Sequence, residues 1–347
     1  MKPLVSILIT AYNAENTIPY TLESAIAQTW QRKETIVVDD GSTDRTAEVV
    51  RQFKDVKLVS TENQGLSGAQ NNAFPLSQGD YIQYLDADDL LAPDKIERQL
   101  AALRDLDSRR ILLSSPWAPF YYRIRHARFV RNSLWQDLSP VEWLLRKMGQ
   151  NLHMQNATWL VSRVLAEAAG PWDTRLHFDQ DGEYFSRVLL ASEGTRFVPG
   201  TGIYYRASGA NSVSFIGNSD KKKDSLLLSM KLHIQYLRSL EDSERVRKAC
   251  LAYLQIWYRN FYPERPDLVQ EAQQLAAMLG ARLEAPTLSW KYRWIQKVFG
   301  FGVAKRVRHR WNQHKSSLMR CWDKALFRLE AGKIASGPGS FRRNTAV

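Results

Sequence analysis

The sequence predicts an α/β fold, in which a mostly parallel sheet is flanked by helices on both faces and is followed by a C-terminal helical extension. Over the first 115 residues, short apolar runs, as expected for strands buried on both faces, alternate with helical patterns. The connections between them are short, which places successive strands side by side and in parallel, with the helices packed on the sheet.

The predicted elements follow one another in a regular order. Residues 4–11 form a nearly continuous apolar run, and residues 17–28 show apolar positions at helical spacing. This alternation repeats, and a proline stands in the first turn of the last helix, where proline is favourable. Further strands are expected at 35–38, 56–59, 81–85 and 111–114, and further helices at 43–53, from the loop 62–68 to about 76, and at 93–106.

Polar side chains stand at the carboxyl ends of three of these strands. Because ligands of a parallel sheet bind beyond those ends, we expect the side chains to converge on one crevice. The last group has three carboxylates within four residues, which repel one another unless a hard cation such as Mg²⁺ or Mn²⁺ is bound. A solvated acidic turn is the alternative. The groups are Thr10, Tyr12 and Asn13, then Asp39 and Asp40, then Asp86, Asp88 and Asp89.

The residue types in this crevice suit a nucleoside diphosphate held through Mn²⁺ or Mg²⁺. Tyr12 offers an aromatic ring, although ordinary packing at a strand end is its alternative. Asp40 and Asp86 can accept hydrogen bonds from a base NH or from ribose hydroxyls, and Asp88 has the character of a metal ligand. The chain has no Gly-x-x-x-x-Gly-Lys-Ser/Thr loop, and no Gly-x-Gly-x-x-Gly follows the first strand, so neither a P-loop nor a dinucleotide fingerprint is supported.

Residues 5–13, 37–44 and 85–89 together resemble the successive signatures of family 2 glycosyltransferases, which have the GT-A fold. The resemblance covers about residues 3–215 in order, spacing and strand context. It implies an inverting enzyme with a nucleotide-sugar donor, UDP-linked by family habit, and with Mn²⁺ or Mg²⁺. By position, Thr10, Tyr12 and Asp40 would hold the base, Asp86 would lie near the ribose, Asp88 would ligate the metal, and Asn13, Asp39 and Gly68 would complete the nucleotide site.

Residues 170–187 resemble the acceptor-side segment of the same family. The resemblance implies that Asp181 is the general base, and inverting transfer does need a carboxylate that takes the proton of the attacking hydroxyl. A residue that serves the dipole of a helix over 184–190 is the alternative for Asp181. Further candidates for acceptor or diphosphate contacts are Asp89, Gln180, Glu183 and Arg206.

Two positions depart from the family pattern. Gln70 stands where many members have an arginine that can meet the diphosphate, and Ser208 stands where many have a histidine near the metal. The diphosphate would then depend on the metal, on the loop 65–68 with the following helix N-terminus, or on Arg206. A surface position is the alternative for Arg206.

The positive charge of the chain is confined to its last 60 residues. Residues 288–347 carry 14 Lys and Arg but only Asp323 and Glu330, whereas the rest of the chain is neutral overall. Within 290–311, tryptophan and other apolar residues recur every three or four positions with cations between them, which is typical of a helix at an anionic membrane surface. We expect residues 288–328 to contact such a surface. A solvated or oligomer-forming helix and nucleic-acid binding are the alternatives; we expect no nucleic-acid partner.

Four regions are therefore expected. Residues 1–115 would bind the nucleotide sugar, 116–215 the acceptor, 216–287 would form a helical cap, and 288–347 an amphipathic tail that is disordered from about 335. Aromatic and arginine residues in 116–169 suit sugar and phosphate, with a partly buried hairpin as the alternative.

We expect an inverting glycosyltransferase of cell-surface polysaccharide or glycolipid synthesis, acting on a glycan or lipid-linked acceptor. The chain has two cysteines, which fits a reducing compartment, and we expect a cytoplasmic location. The basic, aromatic tail would place the protein peripherally on the inner face of the plasma membrane. A metal-dependent nucleotidyltransferase is one alternative. A non-catalytic scaffold that binds nucleotide sugars at a membrane is another.

Overall fold

A central sheet carries the N-terminal half in the computed structural model, which describes residues 2–104, 108–208, 216–217 and 219–335. Among these residues the sheet has five strands in the order β3-β2-β1-β4-β8, parallel except for β8, which pairs antiparallel with β4. The strands are β1 (Val5–Ala11), β2 (Lys33–Asp40), β3 (Val56–Thr61), β4 (Tyr81–Asp86) and β8 (Val161–Ser162).

The register of these strands aligns their polar ends. All seven residues of β1 are buried, which explains its unbroken apolar run. Thr10 pairs with Asp86 across β1 and β4, and Ala11 pairs with Asp39 across β1 and β2. The strand expected at 35–38 extends to Asp40, so the two aspartates that were expected to follow it belong to it.

Helices connect the strands, although several are shorter than the sequence predicts. The helix expected at 43–53 spans five residues, because the Asp44 carboxylate accepts from Glu15 N (3.0 Å) and Thr46 N (2.9 Å) and holds the preceding residues in a loop. The helix expected at 93–106 ends at Ala101, and residues 105–107 lie outside the described part. The helices are α1 (Ile18–Ile26), α2 (Thr46–Val50), α3 (Gly65–Ala73) and α4 (Lys95–Ala101).

The acceptor half combines small sheets with helices. One small sheet has the order β5-β10-β7, and another pairs β6 with β9 in parallel. A helix at 140–150, which was not predicted, begins at Ser139, whose Oγ accepts from Glu142 N. The elements are β5 (Leu90–Leu91), β6 (Ile111–Ser114), β7 (Trp117–Phe120), α5 (Pro140–Gln150), α6 (Arg163–Ala169), α7 (Gln180–Ala191), β9 (Gly194–Phe197) and β10 (Ile203–Arg206).

The helical cap, which is expected from residue 216, shares a core with the acceptor half. One buried apolar cluster extends from Leu8 in β1, through Trp143 and Leu144 in α5, to Cys250 and Leu254 in the cap. The cap consists of α8 (Asp220–Leu240), α9 (Glu244–Tyr258) and α10 (Pro266–Met278).

The tail forms a long helix, α11 (Trp290–Ala335), which is broken at Gly300. Gly300 has φ 79°, a left-handed conformation that favours glycine, whereas Gly302 continues the helix. None of the helices in the described part of the chain combines the length and the low charge that crossing a bilayer requires. The end expected to be disordered lies mostly outside the described residues.

Candidate active site

The carboxyl ends of β1, β2 and β4 lie side by side at one edge of the sheet, and the crevice that the sequence predicts would lie beyond this edge. Tyr12, just beyond β1, is 54% exposed, whereas Thr10 is buried at the end of the same strand. Asn13 adopts a left-handed conformation, and its Oδ1 accepts from Thr43 N (2.8 Å) while its own N donates to Ser42 Oγ (2.9 Å). Asn13 therefore joins the loop after β1 to the loop after β2.

The two aspartates at the end of β2 are buried and bonded to backbone amides. Asp39 Oδ1 accepts from Ser42 N at 3.2 Å. Asp40 accepts from Gln64 N (2.8 Å) and Gly65 N (2.9 Å), so its carboxylate fixes the start of α3.

Gly68 and Gln70 in α3 face the same region. A Cβ at Gly68 would lie 2.5 Å from Gln64 Cβ, so a larger residue would displace that side chain. Gln70 is fully buried, its Nε2 lies 3.4 Å from Thr10 Oγ1, and its Oε1 has no hydrogen-bond partner among the described residues. A neutral amide thus occupies the position where the family pattern has an arginine.

The acidic cluster after β4 separates into a structural residue and a pair that faces the crevice. Asp89 is fully buried, and its two oxygens accept from Arg206 N (2.8 Å) and Gln155 Nε2 (3.1 Å). The Arg206 side chain donates to the carbonyl oxygens of Asp88 and Tyr121, each at 2.9 Å. Asp89 and Arg206 therefore brace the loop, and the Arg206 guanidinium is committed to protein carbonyls.

Asp86 and Asp88 are half-buried carboxylates. Each accepts one hydrogen bond from a side chain in the described part of the chain. Asp86 Oδ1 accepts from Asn156 Nδ2 at 3.1 Å, and Asp88 Oδ2 accepts from Ser208 Oγ at 2.6 Å. Burial, with the nearby charge of Asp88, raises the pKa of Asp86 to about 7. Burial likewise raises the pKa of Asp88. Ionising both carboxyl groups is therefore energetically unfavourable in the absence of a nearby cation.

The chemistry of this pair fits a divalent metal ion. No group of three His, Cys, Asp or Glu side chains in the described part of the chain could enclose a metal by itself. Mg²⁺ and similar ions in phosphate-transfer sites, however, need only one or two protein carboxylates, since substrate phosphates and water supply the other oxygens. Asp88, with Asp86 beside it, would hold such an ion together with a bound diphosphate.

Asp181 reaches the crevice from the acceptor side. It stands in the first turn of α7, and its Oδ1 is buried without a hydrogen-bond partner among the described residues. Burial raises the pKa of Asp181 well above its usual range, and the charges of Asp86 and Asp179 add to this effect. A buried carboxylate whose oxygen has no partner is suited to accept a proton from a ligand.

The neighbours of Asp181 hold α7 in place. Asp179, in a left-handed conformation, accepts from Ser229 Oγ at 2.7 Å, and a Cβ at Gly182 would lie 2.1 Å from Asp179 Oδ1. Glu183 is buried and pairs with Arg187 Nε at 2.7 Å. Gln180 is buried as well. Glu183 thus stabilises the helix rather than facing the crevice with a free carboxylate.

An aromatic group lies in the acceptor half, where Trp117 of β7 and Tyr205 of β10 meet His153. The Trp117 ring is 5.1 Å from the His153 ring and 5.9 Å from the Tyr205 ring, between ring centroids. Trp117 Nε1 is buried without a hydrogen-bond partner among the described residues. A buried indole NH ordinarily has a hydrogen-bond partner, which makes Trp117 a candidate for contact with a polar group of a bound ligand.

The tail helix reaches the same site, which the sequence did not reveal. Arg320 donates from a guanidinium NH₂ to the carbonyl oxygen of Ser208, the residue whose hydroxyl binds Asp88. Asp323 accepts from Arg123 Nε at 2.7 Å, and Glu330 accepts from the same guanidinium at 3.0 Å. Both acidic residues of the tail therefore point inward, towards the acceptor half.

The fold is that of the GT-A transferases. S. aureus TarS in complex with UDP-GlcNAc matches with a TM-score of 0.63 over 80% of this chain and 81% of that chain, at 16% identity. The mannosyltransferase PcManGT from Pyrobaculum calidifontis, in complex with GDP-Man and Mn²⁺, gives 0.52 over 94% and 88%, at 18% identity. At such identities the likeness concerns the fold alone.

The nucleotide side also matches a known family in its sequence. Residues 6–128 match the model of glycosyl transferase family 2. An Escherichia coli relative, the UDP-Glc:alpha-D-GlcNAc-diphosphoundecaprenol beta-1,3-glucosyltransferase WfaP, is 42% identical over 100 residues, which are 28% of this chain and 40% of that protein. The chain spans about half the length of the curated relatives that it matches.

Proposed function

We propose that this protein is an inverting glycosyltransferase, which transfers a sugar from a nucleoside-diphosphate donor to an acceptor hydroxyl. One observation carries the proposal: Asp181 has a buried oxygen without a hydrogen-bond partner among the described residues, and its charge is felt together with that of Asp86, the last residue of β4, two positions before Asp88. Inversion at the anomeric carbon needs the general base and the diphosphate site on opposite sides of the sugar. Two different segments of the chain can supply them in that arrangement.

The residues then have separate tasks in the reaction. Asp181 accepts the proton of the acceptor hydroxyl while that oxygen forms a bond to the anomeric carbon from the face opposite the leaving group. The bond to the nucleoside diphosphate breaks, and configuration inverts. A divalent cation, Mn²⁺ or Mg²⁺, bound at Asp88 and Asp86 would supply positive charge to the departing diphosphate.

The donor is proposed to be a UDP-sugar. The exposed Tyr12 ring and the buried Thr10 and Asp40 border the space where the base would lie, and TarS, which shares this fold, binds UDP-GlcNAc. Calorimetry with UDP, GDP, dTDP and CMP, with and without Mn²⁺, tests this assignment. Tight Mn²⁺-dependent binding of UDP that Asp88→Asn abolishes is the expected result.

The acceptor is proposed to be a lipid-linked glycan at the inner face of the plasma membrane, in cell-surface polysaccharide or glycolipid synthesis. One relative is named for a diphosphoundecaprenol-linked acceptor. On α11, seven apolar side chains are between 62% and 73% exposed. Because Asp323 and Glu330 point inward to Arg123, the charged residues around these apolar side chains are cations. The seven are Trp290, Trp294, Val298, Trp311, Leu318, Trp322 and Leu329.

A transfer assay with Asp181→Asn tests the function as a whole. We expect the variant to lose about 10²–10⁴-fold in the rate of UDP release from UDP-sugars, because it lacks a general base, and to bind Mn²⁺–UDP as the wild type does. Asp173→Asn is the matched control, since Asp173 lies in the same segment but pairs with the exposed Arg175 at 2.6 Å.

The same assay separates the alternatives. Release of pyrophosphate or nucleoside monophosphate would identify a nucleotidyltransferase. Donor binding without turnover, unchanged by Asp181→Asn, would identify a scaffold. Either result would overturn the glycosyltransferase proposal.

A further inference from the structure

A cavity of about 520 Å³ lies between the helical cap and α11, apart from the donor crevice. This volume is in the range of small-molecule sites. Its floor includes the apolar side chains of Phe178, Trp257 and Phe301. We call this cavity the cap groove. Its cations come from the end of α9 and from α11. They are Arg259, Lys305, Arg306, Arg308 and Arg310.

The positive charge of the cap groove is largely uncompensated. Glu264 is the only carboxylate among the described residues that line it, and Glu264 lies 2.7 Å from Lys305 Nζ. The four arginines form no ion pair with any described carboxylate. Burial lowers the pKa of Arg259, and the charge of Arg308 lowers it further, so these two guanidinium groups lie near each other. Gathering like charges is unfavourable unless an anion binds among them.

The position of the cap groove connects it to the acceptor side. The Phe178 ring lies 6.0 Å from the Trp257 ring, and Phe178 immediately precedes the Asp179–Asp181 segment. Phe178 N donates to Ser225 Oγ of α8 at 3.0 Å, which fixes this junction. A ligand with its anionic group in the groove would therefore lie alongside the segment that carries the base.

The opposite face of α11 indicates what kind of anion this is. Trp311, Leu318 and Trp322 expose apolar surface on the helix whose inner face lines the groove. A ligand that has a phosphate head and an apolar tail matches both faces, because arginines bind phosphate oxygens through several hydrogen bonds.

We propose that the cap groove binds the diphosphate head group of the lipid-linked acceptor. This inference rests on the proposed function for the identity of the ligand as an acceptor. The groove would hold the lipid diphosphate, while the sugar at its end extends towards Asp181.

Calorimetry with geranyl diphosphate in metal-free buffer that contains EDTA tests the proposal on the full chain. EDTA prevents metal-dependent binding of the diphosphate at Asp88. We expect one site per chain, and at least a tenfold loss of affinity in the double variant Arg259→Gln/Arg308→Gln. The matched control is Arg293→Gln/Arg328→Gln, which removes the same charge from exposed positions of α11 outside the groove; its affinity is expected within twofold of the wild type.

Three results with geranyl diphosphate would overturn the proposal. They are no binding by the wild type, no loss in the groove variant, and an equal loss in both double variants, which would indicate a general basic surface. Short-chain phosphatidylglycerol is a further arm, and groove-dependent binding as tight as that of geranyl diphosphate would show that the site recognises bulk anionic lipid instead. Mn²⁺–UDP binding, measured on the same proteins, reports separately on the proposed function.

Discussion

If a nucleotide and a metal ion bind as proposed, the Asp86 carboxyl group is expected to link donor binding to pH. Because its pKa is about 7, Asp86 is protonated in the free protein below that value, and a metal ion bound there would have to displace the proton. We expect the affinity for Mn²⁺–UDP to be constant above pH 7 and to fall up to about tenfold per pH unit below it. Calorimetry between about pH 5.5 and 8.5 measures this. A flat wild-type profile, or an equally steep one in Asp86→Asn, would contradict the assignment.

The His233 side chain makes stability depend on pH. It is fully buried, and burial, with the charge of Lys147, lowers its pKa from 6.5 to about 4, although Asp179 Oδ2 lies 3.6 Å from Nδ1 and acts in the opposite direction. Between these values the unfolded chain binds a proton that the folded chain does not. The free energy of unfolding therefore falls as pH drops through this window, by about 2 kcal/mol at pH 5.

Urea unfolding at about pH 7.5 and pH 5 measures this effect. His233→Gln should unfold with a smaller difference between the two pH values than the wild type, because glutamine does not titrate. Equal differences in the two proteins would exclude His233 as the cause.

The positions of individual site residues were predictable where the strand pattern locates them. Which of these residues support the loop and which face the site was not predictable. The strand ends place Thr10, Asp40 and Asp86 at one edge, since parallel strands align their carboxyl ends. The structural role of Asp89 depends on Gln155 and on the Arg206 amide, 66 and 117 residues away along the chain. No local pattern reports such partners.

Among the elements, α11 is fastened to the acceptor half by a small ionic cluster. Arg123 and Asp323 are only 13% and 14% exposed, and Asp323 also accepts from Tyr122 N at 2.9 Å. We expect Asp323→Asn to weaken this attachment by about 1–3 kcal/mol, the scale of charged hydrogen bonds away from water. Trypsin cleavage within 305–328 should therefore become at least about fivefold faster, as follows from the loss of 1 kcal/mol.

The control for this prediction is Asp242→Asn. Asp242 pairs with Arg238 and Arg247 at 2.9 and 3.1 Å, but its side chain is 45% exposed. Asp242→Asn should therefore lower stability only slightly and leave cleavage within 305–328 unchanged. Equal cleavage rates in wild type and Asp323→Asn would mean that the cluster does not hold the helix.

The helix α5 shows why some elements escape prediction. Its apolar positions, including Trp143, Leu144 and Met148, are buried and share one core cluster with the cap. The aromatic and basic residues that precede it indicated contacts with sugar and phosphate, with a partly buried hairpin as the alternative, and neither interpretation predicts a helix. Ser139 and Pro140 were the available signal, because they form a favourable helix start.

At the scale of the whole molecule, one face of α11 is expected to determine membrane attachment. Leu318 and Trp322 are 72% and 69% exposed, so Leu318→Ser/Trp322→Ser should leave the melting temperature unchanged. Removing both side chains from a lipid contact should weaken partitioning at least tenfold, since each contributes more than 1 kcal/mol when buried. Flotation with vesicles of phosphatidylcholine and phosphatidylglycerol measures this.

A matched variant makes that flotation result specific. Ser317→Ala/Met278→Ser changes exposed side chains outside the apolar face of α11 and should float as the wild type does. Unchanged flotation of Leu318→Ser/Trp322→Ser would contradict the membrane assignment.

The inward turn of Asp323 and Glu330 also constrains the length of the helix. Each added residue rotates all later side chains by about 100°. One residue inserted after Lys324 would move Glu330 away from Arg123 and turn the later part of the inner face outward. Seven inserted residues would restore the original direction to within about 20°. Related sequences should therefore tolerate insertions here only in multiples close to whole helical turns. The direction of the side chains around the helix would then be kept even where the residues themselves differ.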